Sequence, residues 1–109
     1  MIVAIPVTPE GLVDPRWGKA DQVAVVRIED NEIHVWQVHL TDWQRLHDEG
    51  QHGTHHARVV RFLRDNDVDT VVIDHAGASM LNTMEKMKLN IVLDASGPAR
   101  EAALRASRL

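Results

Sequence analysis

The sequence predicts an α/β fold built on a mixed five-stranded sheet, and three observations carry that reading. Short runs rich in β-branched residues recur at residues 2–7, 22–29, 33–40, 69–74 and 90–93. Stretches with apolar residues at helical spacing separate the later runs, at residues 54–66, 77–88 and 97–107. Turn residues punctuate them, as in Thr8-Pro9-Glu10-Gly11 and Asp30-Asn31-Glu32. The order is therefore β, β, β, α, β, α, β, α, which implies an opening hairpin followed by parallel crossovers with helices covering the sheet.

Each element has its own reason. Ile2-Val3-Ala4-Ile5-Pro6-Val7 reads as a buried strand, and the turn residues Asp14-Pro15-Arg16-Trp17-Gly18 place an ordered loop after it. Residues 22–29 alternate around Val23, Val25 and Ile28, and residues 33–40 alternate again. That second pattern puts Ile33, Val35, Gln37 and His39 on one face and His34, Trp36, Val38 and Leu40 on the other. Residues 41–53 are polar, fitting a loop or a short helical turn anchored by Trp43 and Leu46. Thr54 is an N-cap candidate for the first long helix, whose Ala57, Val59, Val60, Phe62 and Leu63 would face the sheet. Met80, Met84 and Met87 recur at helical spacing as a packing face, and Pro98 suits the first turn of the last helix.

Size and composition narrow the classes. A chain of 109 residues fits one domain, and 44% hydrophobic with 26% charged residues is an ordinary globular composition. There is no cysteine, so any metal must be held by nitrogen or oxygen, or arrive with its own sulfide. The net charge of -4 argues against a nucleic-acid partner. No apolar run approaches the roughly 20 residues of a membrane span, and the chain opens on a strand pattern instead of a signal core, so the expected location is cytoplasmic and no membrane partner is foreseen.

The unusual feature is histidine. Gln51-His52-Gly53-Thr54-His55-His56 sits at the entrance to the first long helix, and His52 with His55 or His56 would share a face if that helix extends back to them. Imidazole suits zinc, copper, nickel or iron. His75, in the Asp74-His75-Ala76-Gly77 turn, falls at the carboxyl ends of the strands, where ligands of open α/β sheets collect. Gly77 would let a ligand approach the backbone, with the following helix N-terminus offering its amides. Trp17, between Arg16 and Gly18, is placed to wall that cleft, and Trp36 to fill core or form a dimer contact. The topology is that of the ribonuclease H-like superfold, but its nucleases carry an acid on the first strand and residues 2–7 have none.

Taken as a set, the opening strand, the segment Asp14-Pro15-Arg16-Trp17-Gly18-Lys19-Ala20, the hairpin, the His/Gly-rich helix start and the run Val68-Asp69-Thr70-Val71-Val72-Ile73 before a glycine turn resemble one family. This is the dinitrogenase iron–molybdenum cofactor biosynthesis family, the NifX-like domains also found at the end of NifB proteins. The most specific element is similar to its Asp-x-x-Phe-Gly-(Arg or Lys)-Ala signature, with Trp17 in the aromatic place. The resemblance implies a single NifX-like domain over residues 1–109. It implies a ribonuclease H-like three-layer fold, with strand order 3-2-1-4-5, strand 2 antiparallel and helices on both faces. The implied role is non-enzymatic: binding or carrying a metal–sulfur cluster containing iron, molybdenum or both.

Such a cluster brings sulfide and negative charge, so helix-terminal amides, Arg16, Lys19 and imidazoles could hold it without thiolates. The expected cofactor-binding residues are Asp14, Arg16, Trp17, Gly18, Lys19, Gly53 and Gly77, and the expected metal ligands His52, His55, His56 and His75. The histidines depart from the family's Gly-rich turn and leave a mononuclear transition metal as the other cargo. Donor and acceptor proteins for the cluster are the implied partners, with a homodimer also foreseen. The family has members outside nitrogen fixation, so the resemblance implies a cargo and not a pathway. A protein-interaction or regulatory module of the same fold, without metal, is the alternative; an acid–base enzyme pairing His75 with Asp74 or Asp94 is the third reading.

Overall fold

The computed structural model describes residues 1–49 and 52–109, with the side chains of residues 47–49, 52 and 53 outside that description. Five strands, β1 (Ile2–Pro6), β2 (Gln22–Glu29), β3 (Glu32–Leu40), β4 (Thr70–Val72) and β5 (Asn90–Val92), form one sheet in the order β3-β2-β1-β4-β5. β2 runs antiparallel to both β1 and β3, whereas β4 is parallel to β1 and β5. The mixed sheet and its strand order are those expected. The helices are α1 (Trp43–Glu49), α2 (His52–Asp65), α3 (Ala78–Lys86) and α4 (Ala99–Ser107), with a 3₁₀ turn at Trp17–Lys19.

Alternation along β1 divides the core in two, because successive side chains of a strand point to opposite faces. Val3 and Ile5 join Ala24, Val26, Val72 and the alanines of α4, namely Ala99, Ala102, Ala103 and Ala106. Ala4 instead joins Val23, Val71 and Ile73 with Trp17, Trp43, Val59, Leu63, Met80 and Met84. The methionines of α3 are thus the packing face that their spacing indicates.

Several local expectations are corrected. α2 starts at His52, so Thr54 lies inside the helix and is not its N-cap. Of the two options for residues 41–53, the helical one holds: α1 forms at Trp43, whose buried ring anchors it. Pro98 is the N-cap of α4 and precedes its first turn. The hairpin register shifts between Arg27 and Ile28, where Arg27 pairs with Val35 but Ile28 pairs with Ile33. This bulge inserts one residue and reverses the alternation, so Ile33 and Trp36 pack against the same cluster where strict alternation separates them. The hairpin turn itself uses left-handed Asp30 and Asn31, residue types that tolerate this conformation.

Candidate functional site

Beyond the carboxyl ends of β1 and β4 lies a cavity of about 290 Å³, and three segments wall it. Pro15 to Lys19 supply one side, His55 and His56 of α2 a second, and His75, Ala76, Gly77, Ser79 and Met80 the third. The first wall is built by its own hydrogen bonds. Asp14 is buried, and its Oδ1 accepts from the Arg16 backbone N–H at 2.9 Å and from Arg16 Nε at 3.4 Å. A carboxylate closing back on the amide two residues on is a standard turn device, and here it fixes the loop. Asp14 therefore shapes the cavity wall without lining it.

The loop is tied to its neighbours as well. Val7 pairs with Val13, Leu12 with Pro98, and Arg16 with His75, the last joining two walls of the cavity backbone to backbone. Trp17 is buried edge-on against Trp43, with ring centroids 5.2 Å apart, and Trp43 in turn meets Phe62 and His55 edge-on. These contacts hold the indole where it lines the cavity. Its Nε1–H is buried and finds no acceptor among the described residues, an uncommon state for an indole donor.

The histidines divide by environment. His55 is only 2% exposed; its Nε2 donates to the Gly18 carbonyl at 2.6 Å, and Nδ1 accepts from Arg58 Nη1 at 3.2 Å. With both ring nitrogens engaged, this imidazole ties α2 to the Trp17–Lys19 turn. His56 is half-buried at the cavity, and His75 is exposed there, 3.5 Å from the Asp74 carboxylate. His52 and Gly53, also expected at the site, lie outside the described residues apart from their place in the α2 backbone. Among the described residues no three His, Cys, Asp or Glu side chains stand close enough together to hold a metal ion. His55, His56 and His75 thus share a cavity without forming a ready coordination shell.

The arrangement is better suited to a polyatomic anion than to a bare cation. Arg16 and Lys19 bring positive charge to the rim, Arg16 also donating to Gln44 Oε1 at 3.0 Å. α3 begins at the cavity with no side-chain cap, so its first-turn amides have no partner within the helix and its dipole favours negative charge. Gly77, its N-cap, has ordinary extended backbone, and a Cβ there would meet nothing within 4 Å. Neither strain nor crowding demands glycine, so its effect is to leave the space above the helix open. Gly18 is similar: a Cβ would lie 3.7 Å from His55 Nε2, an ordinary contact.

Sequence reasoning did not find Ser79 or Met80 at this cavity, and reached Pro15 and Ala76 only as members of the loop and turn expected there. For Ser79 and Met80 the signal was available, since they occupy the first turn of the helix that Gly77 opens. It also gave no sign that His55 and Asp14 would face inward, because their partners are set by tertiary contacts and loop closure.

The model of the dinitrogenase iron–molybdenum cofactor family matches residues 1–108. Among solved structures, the apo form of the orange protein from Desulfovibrio gigas is similar with a TM-score of 0.79 and 18% identity, over 98% of this chain and 87% of that one. A Thermotoga protein described as a NifB protein of the DUF35 family is similar with a TM-score of 0.72 and 19% identity, over 98% and 87% of the two chains. No curated protein matches the sequence.

Proposed function

The chain belongs to the dinitrogenase iron–molybdenum cofactor family, and from that membership together with the cavity we propose that it binds and carries an anionic metal–sulfur cluster of the iron–molybdenum type. The observation that supports this most is the convergence of Arg16, Lys19 and the uncapped N-terminus of α3 on one open cavity that no cysteine reaches. A cluster that brings its own sulfides meets donors and charge there, and needs few direct bonds to metal. His56 and His75 are the imidazoles placed to touch metal, whereas His55 holds the wall; a mononuclear transition metal is the lesser cargo, because the described side chains form no three-ligand group.

In this reading the chain is one NifX-like domain with the ribonuclease H-like three-layer arrangement. It acts in the cytoplasm as a carrier and not as an enzyme, taking cargo from a donor protein and passing it to an acceptor. No described helix is long and apolar enough to cross a membrane, and the net charge of -4 disfavours nucleic acid. The similarity to a protein solved explicitly in an apo form accords with a fold that takes up a ligand.

The test uses untagged protein purified without oxygen, followed by elemental analysis, an absorption spectrum and titration with tetrathiomolybdate. Near-stoichiometric uptake is expected, with quenching of tryptophan emission. Arg16→Ala combined with Lys19→Ala should weaken uptake at least tenfold, about 1.4 kcal/mol or more. Wild-type protein that carries no metal and takes up neither tetrathiomolybdate nor an iron–sulfur cluster would sink the reading.

A further inference from the structure

The edge of the sheet formed by β3 is a second, independent feature, and it does not depend on the cavity. An exposed edge strand displays unpaired N–H and C=O groups, and proteins that must stay monomeric blunt it with lysine, proline, inward charge or a short strand. β3 uses none of these: it is nine residues long, and after Glu32 it holds no charged residue apart from its histidines and no proline. Its bulge lies at the far end, near Ile33. The half nearer α1 is apolar and open, with Val38 45% and Leu40 81% exposed.

The ladder shows which backbone groups point outward. Val7 N–H donates to the Gln22 carbonyl, and Thr41 N–H donates to the Asp21 carbonyl at 2.9 Å. Since the two backbone groups of a strand residue point to the same side, even-numbered residues of β2 bond β1 and odd-numbered ones bond β3. Val23 pairs with His39, Val25 with Gln37 and Arg27 with Val35. The backbones of Trp36, Val38 and Leu40 are therefore the ones that face the open edge. The same three side chains share one face of the sheet, that of α4, where Arg100 lies 4.5 Å over the Trp36 ring.

We infer that β3 pairs antiparallel with β3 of a second copy of this chain, centred on Val38. A two-fold axis through the Val38 pair sets Val38 against Val38, and Trp36 against Leu40 in both directions, each exchanging both backbone hydrogen bonds with its opposite residue. On the other face Gln37 meets His39. Neighbouring registers lose this match: centring on Gln37 opposes Leu40 to His34, centring on Trp36 opposes it to Glu32, and centring on His39 opposes Trp36 to Asp42. Only the Val38 register joins the three apolar side chains of each copy into one stripe, and cross-strand apolar pairs of this kind are the stabilising unit of a sheet. This self-matching is why the occupant is a second copy and not an unrelated strand. One strand per copy buries less than the roughly 800 Å² per partner of a standard interface, so the expected association is weak and reversible.

Sedimentation equilibrium on the untagged full chain, from about 5 to about 500 μM, tests this. A reversible dimer is expected. Val38→Pro removes an N–H that serves only the outer edge, and Leu40→Lys sets a charge opposite tryptophan; each should weaken association at least tenfold with the far-ultraviolet circular dichroism unchanged. Should Val38→Pro unfold, Leu40→Lys decides alone, because that side chain is largely in solvent. Register is read by oxidation, since the chain has no native cysteine. Val38→Cys places its two Cα atoms about 5.5 Å apart, within disulfide range, and should cross-link at least ten times faster than Gln37→Cys. A wild-type chain that is monomeric throughout overturns the proposal, as do variants that associate like wild type; equal cross-linking at the two positions overturns the register.

Discussion

The two faces of the sheet are packed by opposite means. α4 lies on its face through four alanines, Ala99, Ala102, Ala103 and Ala106, against valine and isoleucine from the strands. Small side chains let a helix seat close to a sheet, leaving nothing long enough to prop open a gap. Across the sheet the packing is done by large groups at right angles, Trp17, Trp43 and Phe62 meeting edge to face with His55 beside them. The cavity opens on this second face. The difference shows that the cavity is held open by aromatic bulk, with one face serving cohesion and the other shape.

Breaking the aromatic side should have the largest effect. Trp43→Ala removes a ring that is 2% exposed and touches Trp17, Phe62 and His55, and the expected loss is about 3–5 kcal/mol. Urea unfolding measures it, and tetrathiomolybdate uptake should fall in protein that is still folded, because Trp17 loses its support. A loss under about 1 kcal/mol would mean that the aromatic cluster is not what holds this face.

The alanine side should fail differently. Ala103→Leu forces a larger side chain into a fully buried place beneath α4 and should cost about 1–3 kcal/mol. Uptake at the cavity should stay within twofold of wild type, since the two clusters are on opposite sides of β1. Equal damage to stability and uptake would show that the two faces are coupled and do not serve separate ends.

The smallest effect belongs at the hairpin end, where Arg27 and Glu29 are exposed on either side of buried Ile28. The Arg27 guanidinium donates to Glu29 at 3.0–3.1 Å and holds its carboxyl below the usual carboxylate range. A carboxyl lowered on folding stabilises above its unfolded value and loses that contribution as pH falls through the folded one. Glu29→Gln should therefore be slightly less stable than wild type near neutral pH, with the two converging in acid. Thermal unfolding from neutral pH to about pH 3 reads the sign, and the pair is exposed enough that the gap should be small.

Much of this architecture could be read from residue order, for reasons that are local. β-branched runs and turn residues identify strands within a few positions, and an opening hairpin followed by alternating helices leaves few topologies. The cleft region was legible on the same terms: Arg16, Trp17, Lys19, His75 and Gly77 all sit on turns that the strand order brings to one edge. What escaped depended on partners distant in the chain or on an irregularity without a sequence mark. His55 looks like any helical histidine until the Gly18 carbonyl, 37 positions away, accepts a hydrogen bond from its Nε2–H. The bulge at Arg27 and Ile28 leaves no signature in the alternation, yet it decides that Ile33 and Trp36 share a side. Asp14 is aspartate to its neighbours and a buried turn-former only once the loop closes.

The loop carrying Asp14 and Trp17 is fastened by backbone bridges at Val13, Leu12 and Arg16, and the last grips the turn of His75. A wall stitched this way has already surrendered its conformational freedom, so a guest entering beside it faces little further ordering cost. For this side of the cavity, arrival and departure are then limited by diffusion and by attraction to the charged rim, not by the swing of a gate. Such kinetics would suit the proposed carrier role, because a rigid berth with few direct bonds releases as readily as it receives.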